Sequence, residues 1–259
     1  MEQIFGNLDA AMFAFLAISG FIAAFIDSSV GGGGLISTPA LLALGLPVPM
    51  ALGTNKLAAS MGACASFLSF WRAGKISKKM ALCFMPLSAL GSALGAYVVY
   101  LLPEELMKNI IVVLLVVVAI YTYQRKDWGD QGSISELGVR ALAGAALMAV
   151  GLGFYDGFFG PGTGSFLIFG FLFLGFDFVT AAGNAKALNF ASGIGALAAF
   201  ACSHSVIWSY GLLMGIFMIL GALAGSRLAI KKGAAYVRPL YLLVTTVLIG
   251  KQVYEILIK

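Results

Sequence analysis

Charge is what this 259-residue chain has least of: 10% of its residues are Asp, Glu, Lys or Arg, against 61% that are hydrophobic. A soluble domain carries about 25% charged residues. Too few charges are present to cover a water-facing exterior, so most of the surface must meet lipid. Cysteine and histidine are also scarce. Cys64, Cys83 and Cys202 show no CxxC spacing and lie in or beside apolar runs, so they read as packing residues, with no disulfide or metal site implied. His204 is the one histidine and cannot hold a metal unaided. No Ser–His–Asp or HExxH arrangement is present, which leaves an enzyme without support. No cofactor signature is found either, since neither glycine run is followed by the Gly-Lys-Ser/Thr that closes a phosphate-binding loop. The first residues, MEQIFGNLDAAM, lack the basic region of a cleaved signal peptide, so the first apolar run is expected to be a retained helix.

What fills the chain instead is long apolar runs, with a mean hydropathy of +0.99. In hydrocarbon every backbone N–H and C=O must be paired internally, which leaves helices or closed barrels. The runs are continuous rather than alternating, and therefore predict helices. Eight long segments are read at 8–27, 51–71, 80–102, 106–123, 139–158, 181–202, 207–229 and 236–258. Each has about the 20 residues needed to cross roughly 30 Å of hydrocarbon. Two short segments, 35–46 and 165–178, are too short to cross or barely reach. The net charge of +5 comes from basic residues in short loops, the pattern of topology determinants rather than of a nucleic-acid surface. Trp71 and Trp208 lie at segment ends, as interfacial anchors should.

The two halves of the chain are copies. Asp27 is followed by VGGGGL and Asp156 by GFFGPGTGS; LGTNKLAAS around Lys56 matches AGNAKALNF around Lys186; GSALGA from Gly91 matches GALAGS from Gly221. The offsets are 129 (27 to 156), 130 (56 to 186) and 130 (91 to 221). The first repeat covers about residues 8–123, the second about 138–259, and the polar stretch QRKDWGDQGSISEL at 124–137 links them within one membrane domain.

Loop charge orients the copies. The loop after 51–71 carries Arg72, Lys75, Lys78 and Lys79, whereas its counterpart carries only His204. The loop after 80–102 carries Glu104, Glu105 and Lys108, whereas its counterpart carries Arg227, Lys231, Lys232 and Arg238. Basic loops mark the cytoplasmic side. Equivalent loops are therefore expected on opposite faces, which makes the repeats inverted and puts both termini outside. Whether the short segments span or re-enter is open at this level, since either gives an odd number of crossings per half.

Most of the 16 Lys and Arg residues sit in loops or at segment ends, and Lys251 is close enough to an end to snorkel. Lys56 and Lys186 are the main exceptions, each a few residues into an apolar helix. Asp27 and Asp156 stand where a long segment gives way to a short one, and Asp177 is a weaker case beside the second short segment. A charge in the membrane costs at least about 2.5–3.5 kcal/mol and usually serves function. A purely structural reading is also open: each Asp pairs with a Lys or caps the following short helix. The glycine runs at 31–34 and 160–164 should break the helices. Interrupted helices at matching places in a repeat point to a binding site, and their first N–H groups favour an anion. A tight turn for close helix approach is the plainer alternative. The pairs Gly91/Gly95 and Gly221/Gly225 fit helix packing.

At these same residues the sequence resembles the TauE/SafE family of membrane permeases, the sulfite and organosulfonate exporter group. The resemblance rests on FIDSSVGGGGLISTPALLALG with ALGTNK downstream, and on GFYDGFFGPGTGS with NAKALN downstream. It implies transport of small sulfur-containing anions across a bacterial inner membrane. The expected anion site comprises Lys56, Lys186, Asn55, Thr54, Asn184, Gly32, Gly33, Gly162 and Thr163, with Asp27 or Asp156 carrying a coupling proton. Two acids balance two lysines, so a bound anion leaves the site negative and one added proton restores neutrality. The second copy has Asn184-Ala185-Lys186 where the first has Thr54-Asn55-Lys56, which makes the half-sites chemically unequal. The partners expected are a small anion and the bilayer, with further copies of the chain an open option and nucleic acid excluded. A passive anion channel or a non-transporting membrane subunit is the competing reading.

Overall fold

The computed structural model describes residues 10–103 and 139–233. Its elements are α1 (Ala10–Val30), α2 (Gly34–Ala43), α3 (Val48–Arg72), α4 (Lys78–Val99), α5 (Val139–Phe158), α6 (Thr163–Phe173), α7 (Phe178–Cys202) and α8 (Trp208–Lys232), and no strand occurs among the described residues. The expected segments 106–123 and 236–258, the linker at 124–137, and Glu104, Glu105, Lys108, Arg238 and Lys251 lie outside those residues. The other six long segments are all helices, and α1, α4, α7 and α8 are long and apolar enough to cross a membrane. Helix α3 has the length, at 25 residues, but Thr54, Asn55, Lys56, Ser60 and Ser66 dilute its apolar character. The short helices α2 and α6 have 10 and 11 residues, about 15–17 Å at 1.5 Å per residue.

Helix boundaries follow local chemistry. Helices α3 and α7 start three residues earlier than the apolar pattern suggests, because Pro47 and Asp177 occupy their N-cap positions. Pro49 is harmless in the first turn, where its missing N–H would have no partner. Asp177 accepts from the N–H groups of Val179 and Thr180 at 3.0 and 3.1 Å. Burial acts to raise the pKa of this carboxyl, but the Thr180 and Val179 hydrogen bonds, with Lys75 nearby, outweigh it and hold it below the usual carboxylate range. Helix α1 runs on to Val30, so Asp27 lies inside its last turn rather than at the break. Asp156 lies likewise inside the last turn of α5. The chain then turns through Gly31, Gly32, Gly160 and Gly162, whose φ angles of 78° to 95° side chains avoid.

Glycine contacts fix which helices touch and in which direction. Gly20 meets Met214, Gly221 meets Phe21 and Gly225 meets Phe25, so α1 and α8 run parallel. Gly211 on Leu57, Gly215 on Met61 and Gly62 on Met218 make α8 parallel to α3 as well. The other half behaves alike: Gly153 packs on Ser88, Gly95 on Phe154 and Gly157 on Ser92, which makes α4 parallel to α5. Ser88 and Ser92 donate to the carbonyls of Leu188 and Ser192, which makes α4 parallel to α7. At the centre α3 crosses α7, with Gly53 on Phe200, Ser60 on Gly193 and Phe67 stacked on Phe190, an antiparallel contact. Two parallel groups, α1/α8/α3 and α5/α4/α7, thus run against each other. The fourth described helix of each half, counting the short one, is exchanged: α8 packs with the first half and α4 with the second.

Small and polar residues are gathered inside with part of the large apolar ones, and other large side chains face outward. Leu82, Leu147 and Phe173 are 73%, 76% and 84% exposed, while Ser28, Ser88, Ser92, Thr54, Asn184 and Lys186 are fully buried. Lipid is as apolar as Leu, so helix association here depends on close packing and interhelical hydrogen bonds. A methyl added at Gly95 would overlap the Phe154 carbonyl, and one at Gly225 the Phe25 carbonyl. At Gly144 nothing described lies within 4 Å. Gly95→Ala and Gly225→Ala should each destabilise by about 1–3 kcal/mol, whereas Gly144→Ala should be neutral or gain up to about 1 kcal/mol. Thermal unfolding in detergent micelles checks the ranking, and equal behaviour of all three would show that the close approaches are absent.

Candidate functional site

The two broken-helix tips meet back to back in the middle of the bundle. Gly31 abuts Gly164 and Ser165, Gly34 abuts Pro161, and the Ser165 hydroxyl donates to the Val30 carbonyl at 3.1 Å. The second tip is stiffened by its own hydrogen bonds. Tyr155 OH donates to the Pro161 carbonyl and Thr163 Oγ1 to the Gly160 carbonyl, both at 2.7 Å. Around the tips lie the four charges singled out in the sequence, and their partners are exchanged between halves. Lys56 Nζ is 2.9 Å from Asp156 Oδ1, and Lys186 Nζ is 2.6 Å from Asp27 Oδ2. Both lysines sit eight residues past the start of their helices, α3 and α7, so the repeat places them equivalently.

The surroundings of the two pairs are unequal. Asp27 Oδ1 also accepts from the Gly33 N–H at 3.2 Å, which ties it to the start of α2. Asp156 Oδ2 accepts from the Ser192 hydroxyl at 2.7 Å. Asp27 is 22% exposed and Lys186 not at all, whereas Lys56 and Asp156 are each 6% exposed. A cavity of about 50 Å³ lies against this group, bordered by Asp27, Lys56, Asp156, Asn55, Ser60 and Asn189. That is enough for a few waters or one compact ion. It continues along α3 to Ser66 and is walled on the far side by Met218 and Ala222 of α8.

Of the expected site residues, Lys56, Asn55, Gly33, Gly162, Asp27 and Asp156 border the cavity. Lys186 does not, and reaches it only through Asp27. Thr54 and Asn184 are turned to another task. Thr54 Oγ1 accepts from the Ile207 N–H at 3.0 Å and Asn184 Oδ1 from the Ser77 N–H at 2.9 Å. Each therefore pins the turn that leads into an exchanged helix. Gly32 and Thr163 shape the tips without bordering the cavity. The freed N–H groups expected at the short helices are largely used already: those of Leu35, Ile36 and Ser37 bond to the Gly32 and Gly33 carbonyls. Two polar neighbours were missed, Ser60 and Asn189. Their signal was helical spacing, since they lie four and three residues beyond the two lysines and so share their faces. Asn55 Oδ1 and Ser60 Oγ are buried without any hydrogen-bond partner.

The model of the sulfite exporter TauE/SafE family matches residues 16–251. The chain belongs to the TauE/SafE family. Similar proteins include a probable membrane transporter protein, ORF9, of Sinorhizobium sp., 41% identical over 92% of this chain and 90% of that protein. A probable membrane transporter protein of Haemophilus influenzae is 36% identical over 94% and 95% of the two chains. The probable membrane transporter protein YfcA of Escherichia coli K12 is 37% identical over 90% and 87%. No solved structure matches. With its apolar helices, this TauE/SafE chain is a membrane transporter.

Taking one partner from a buried ion pair leaves an uncompensated charge and costs about 3–5 kcal/mol. Lys186→Gln should therefore destabilise this TauE/SafE protein strongly, and Asp27→Asn added to it should recover much of the loss. A double-mutant cycle on thermal unfolding in micelles measures the coupling, expected above about 1 kcal/mol. Simple additivity would show that Asp27 and Lys186 are not paired.

Proposed function

We propose that this protein is a secondary transporter of a small anion, a sulfur-containing oxyanion or organosulfonate, moved together with a proton. The observation that carries this reading is the cavity beside two exchanged Lys–Asp pairs, at the crossing of two groups of helices that run in opposite directions. Lys56 is the cation that borders the cavity, with Asn55 beside it and Gly33 and Gly162 at the tips. A desolvated ammonium attracts an anion far more strongly than an exposed one, because the local dielectric is low. The four embedded charges sum to zero, so an anion arriving with a proton leaves the site neutral.

The halves act as inverted repeats, 8–123 and 138–259 joined by 124–137, in a bacterial inner membrane with both termini outside. The parallel packing of α3 and α8 supports this orientation. It brings Arg72, the last residue of α3, and Lys75 to the same end as Lys231 and Lys232 of α8, while His204 lies at the other end. The cavity extends from Lys56 toward the basic end of α3, which suits a site reached from the cytoplasm in this state. Exchange of the open and closed halves then moves the anion across.

Two measurements test the reading. In a background with Cys64, Cys83 and Cys202 replaced, cysteines introduced at the exposed Lys78 and Ser203 should label from opposite sides with an impermeant maleimide. Labelling of both from outside the cell would end the inverted arrangement. In proteoliposomes, sulfite flux should saturate, and Lys56→Gln should raise the half-saturating concentration roughly 10- to 150-fold, the loss of one charge-assisted hydrogen bond. Flux proportional to concentration at all levels would favour a channel, and unchanged half-saturation in Lys56→Gln would remove this lysine from the site.

A further inference from the structure

The two ion pairs are equivalent by repeat but not by environment, and the difference lies in the exchanged helices. On the second-half side, Ser88 and Ser92 of α4 donate to the Leu188 and Ser192 carbonyls at 3.1 and 2.6 Å, and Ser192 donates to Asp156. Gly153 and Gly157 of α5 pack directly on the backbone of those same two serines. The equivalents of Ser88, Ser92 and Ser192, 130 positions away, are Met218, Ala222 and Gly62. None of these has a hydroxyl, and at that place the cavity lies instead of a serine clasp. Both oxygens of Asp156 are thus held, one by Lys56 and one by Ser192, at 6% exposure. Asp27 has no serine: beside Lys186 it accepts only the longer 3.2 Å bond from the Gly33 N–H, and it faces the cavity at 22% exposure.

We infer that the cavity draws its two working charges from different ion pairs: the anion is held by Lys56 of one, and the proton is taken by Asp27 of the other. Lys186 and Asp156 are the fixed counter-charges behind them. This rests on the anion-transport reading above and assigns its parts. Lys56 has three donors and spends one on Asp156, which leaves others for an anion in the cavity. Ser60 Oγ, 4% exposed and unpartnered, borders the same space with a hydroxyl to donate to an anion, while the unpartnered Asn55 Oδ1 can only accept, from a water or a protonated group. The charged groups around Asp27 are Lys186 from α7 and, across the cavity, Lys56 and Asp156. Helices α2 and α6 contain no titratable residue, and α8 borders the cavity with Met218 and Ala222. Proton uptake on Asp27 loosens its hold on Lys186 and cancels the charge the anion brings. A proton on Asp156 would have to displace Lys56 or the 2.7 Å bond from Ser192 at a site 6% exposed, whereas on Asp27 it displaces the longer 3.2 Å bond from the Gly33 N–H beside the cavity.

The test uses wild type, Asp27→Asn and Ser192→Ala reconstituted in liposomes, with sulfite as the probe. Counterflow at equal pH reads anion exchange, and accumulation under an imposed pH gradient reads coupling. Asp27→Asn should lose gradient-driven accumulation while counterflow persists, slowed by no more than about tenfold. Ser192→Ala should keep the gradient response. A gradient response surviving in Asp27→Asn, or counterflow lost together with accumulation, overturns the assignment. Absence of counterflow in wild type would instead overturn the anion reading itself. Infrared difference spectra of wild type and Ser192→Ala need no Asp27 variant. Sulfite binding at acidic pH should raise a carboxylic C=O band that Ser192→Ala leaves in place. A band shifted by Ser192→Ala would put the proton on Asp156, and no band at all would remove the protonated acid; either result defeats the proposal.

Discussion

Everything in the bundle depends on four charges that lie where lipid-embedded protein can least accommodate them. Each would cost several kcal/mol alone, and each is matched only by a residue of the other half. Lys56 depends on Asp156 and Lys186 on Asp27. The halves cannot part without stranding all four. The glycine tips, the serine–carbonyl bonds and the antiparallel contact of α3 with α7 are what bring the partners within 3 Å of one another. Cross-linking by charge also explains why the tips are built of residues without side chains, since a Cβ at Gly160 would lie 2.9 Å from Lys56 Nζ.

The packing follows the same logic at lower energy. With hydrocarbon outside, large side chains serve on either side: Leu82, Leu147 and Phe173 line the exterior, while Phe70, Phe171 and Phe200 are buried. Inside, glycine, alanine and serine let backbones touch and let hydroxyls reach carbonyls of the next helix. Such contacts are numerous and individually weak, so they can be exchanged as a group. The serine clasp on one side and the cavity on the other are two arrangements of nearly the same framework, distinguished by three hydroxyls.

Much of this was legible in the sequence. The apolar runs marked the helices, and Gly91, Gly95, Gly221 and Gly225 marked the close crossings. The costly residues, Asp27, Lys56, Asp156 and Lys186, are the ones that pair around the tips. What was not legible was who meets whom. An offset of 130 says that Lys56 and Lys186 are equivalent, but not that each crosses to the other copy's acid. The exchange of α4 and α8 is a property of the whole bundle, and no local pattern announces it. Thr54 and Asn184 look like ligands because they stand next to residues at the site. Their true partners, the N–H groups of Ile207 and Ser77, become visible only when the turns are placed. The inequality of the halves was read from Thr54-Asn55 against Asn184-Ala185, whereas a further difference sits at Ser88, Ser92 and Ser192.

The distance along the chain between partners, 159 residues for Asp27 and Lys186, has a consequence for how the protein is made. At about 5–20 residues per second, helix α1 leaves the ribosome many seconds before its counter-charge exists. During that interval Asp27 must stay near the membrane surface, take up a proton, or rest in the insertion machinery. Its place in the last turn of α1, beside a flexible glycine run, suits such a wait. Lys56 waits in the same way for Asp156 of α5, and Asp27 waits longer, until α7 brings Lys186. Membrane insertion of the first half is therefore provisional, and the native arrangement locks when the second half arrives.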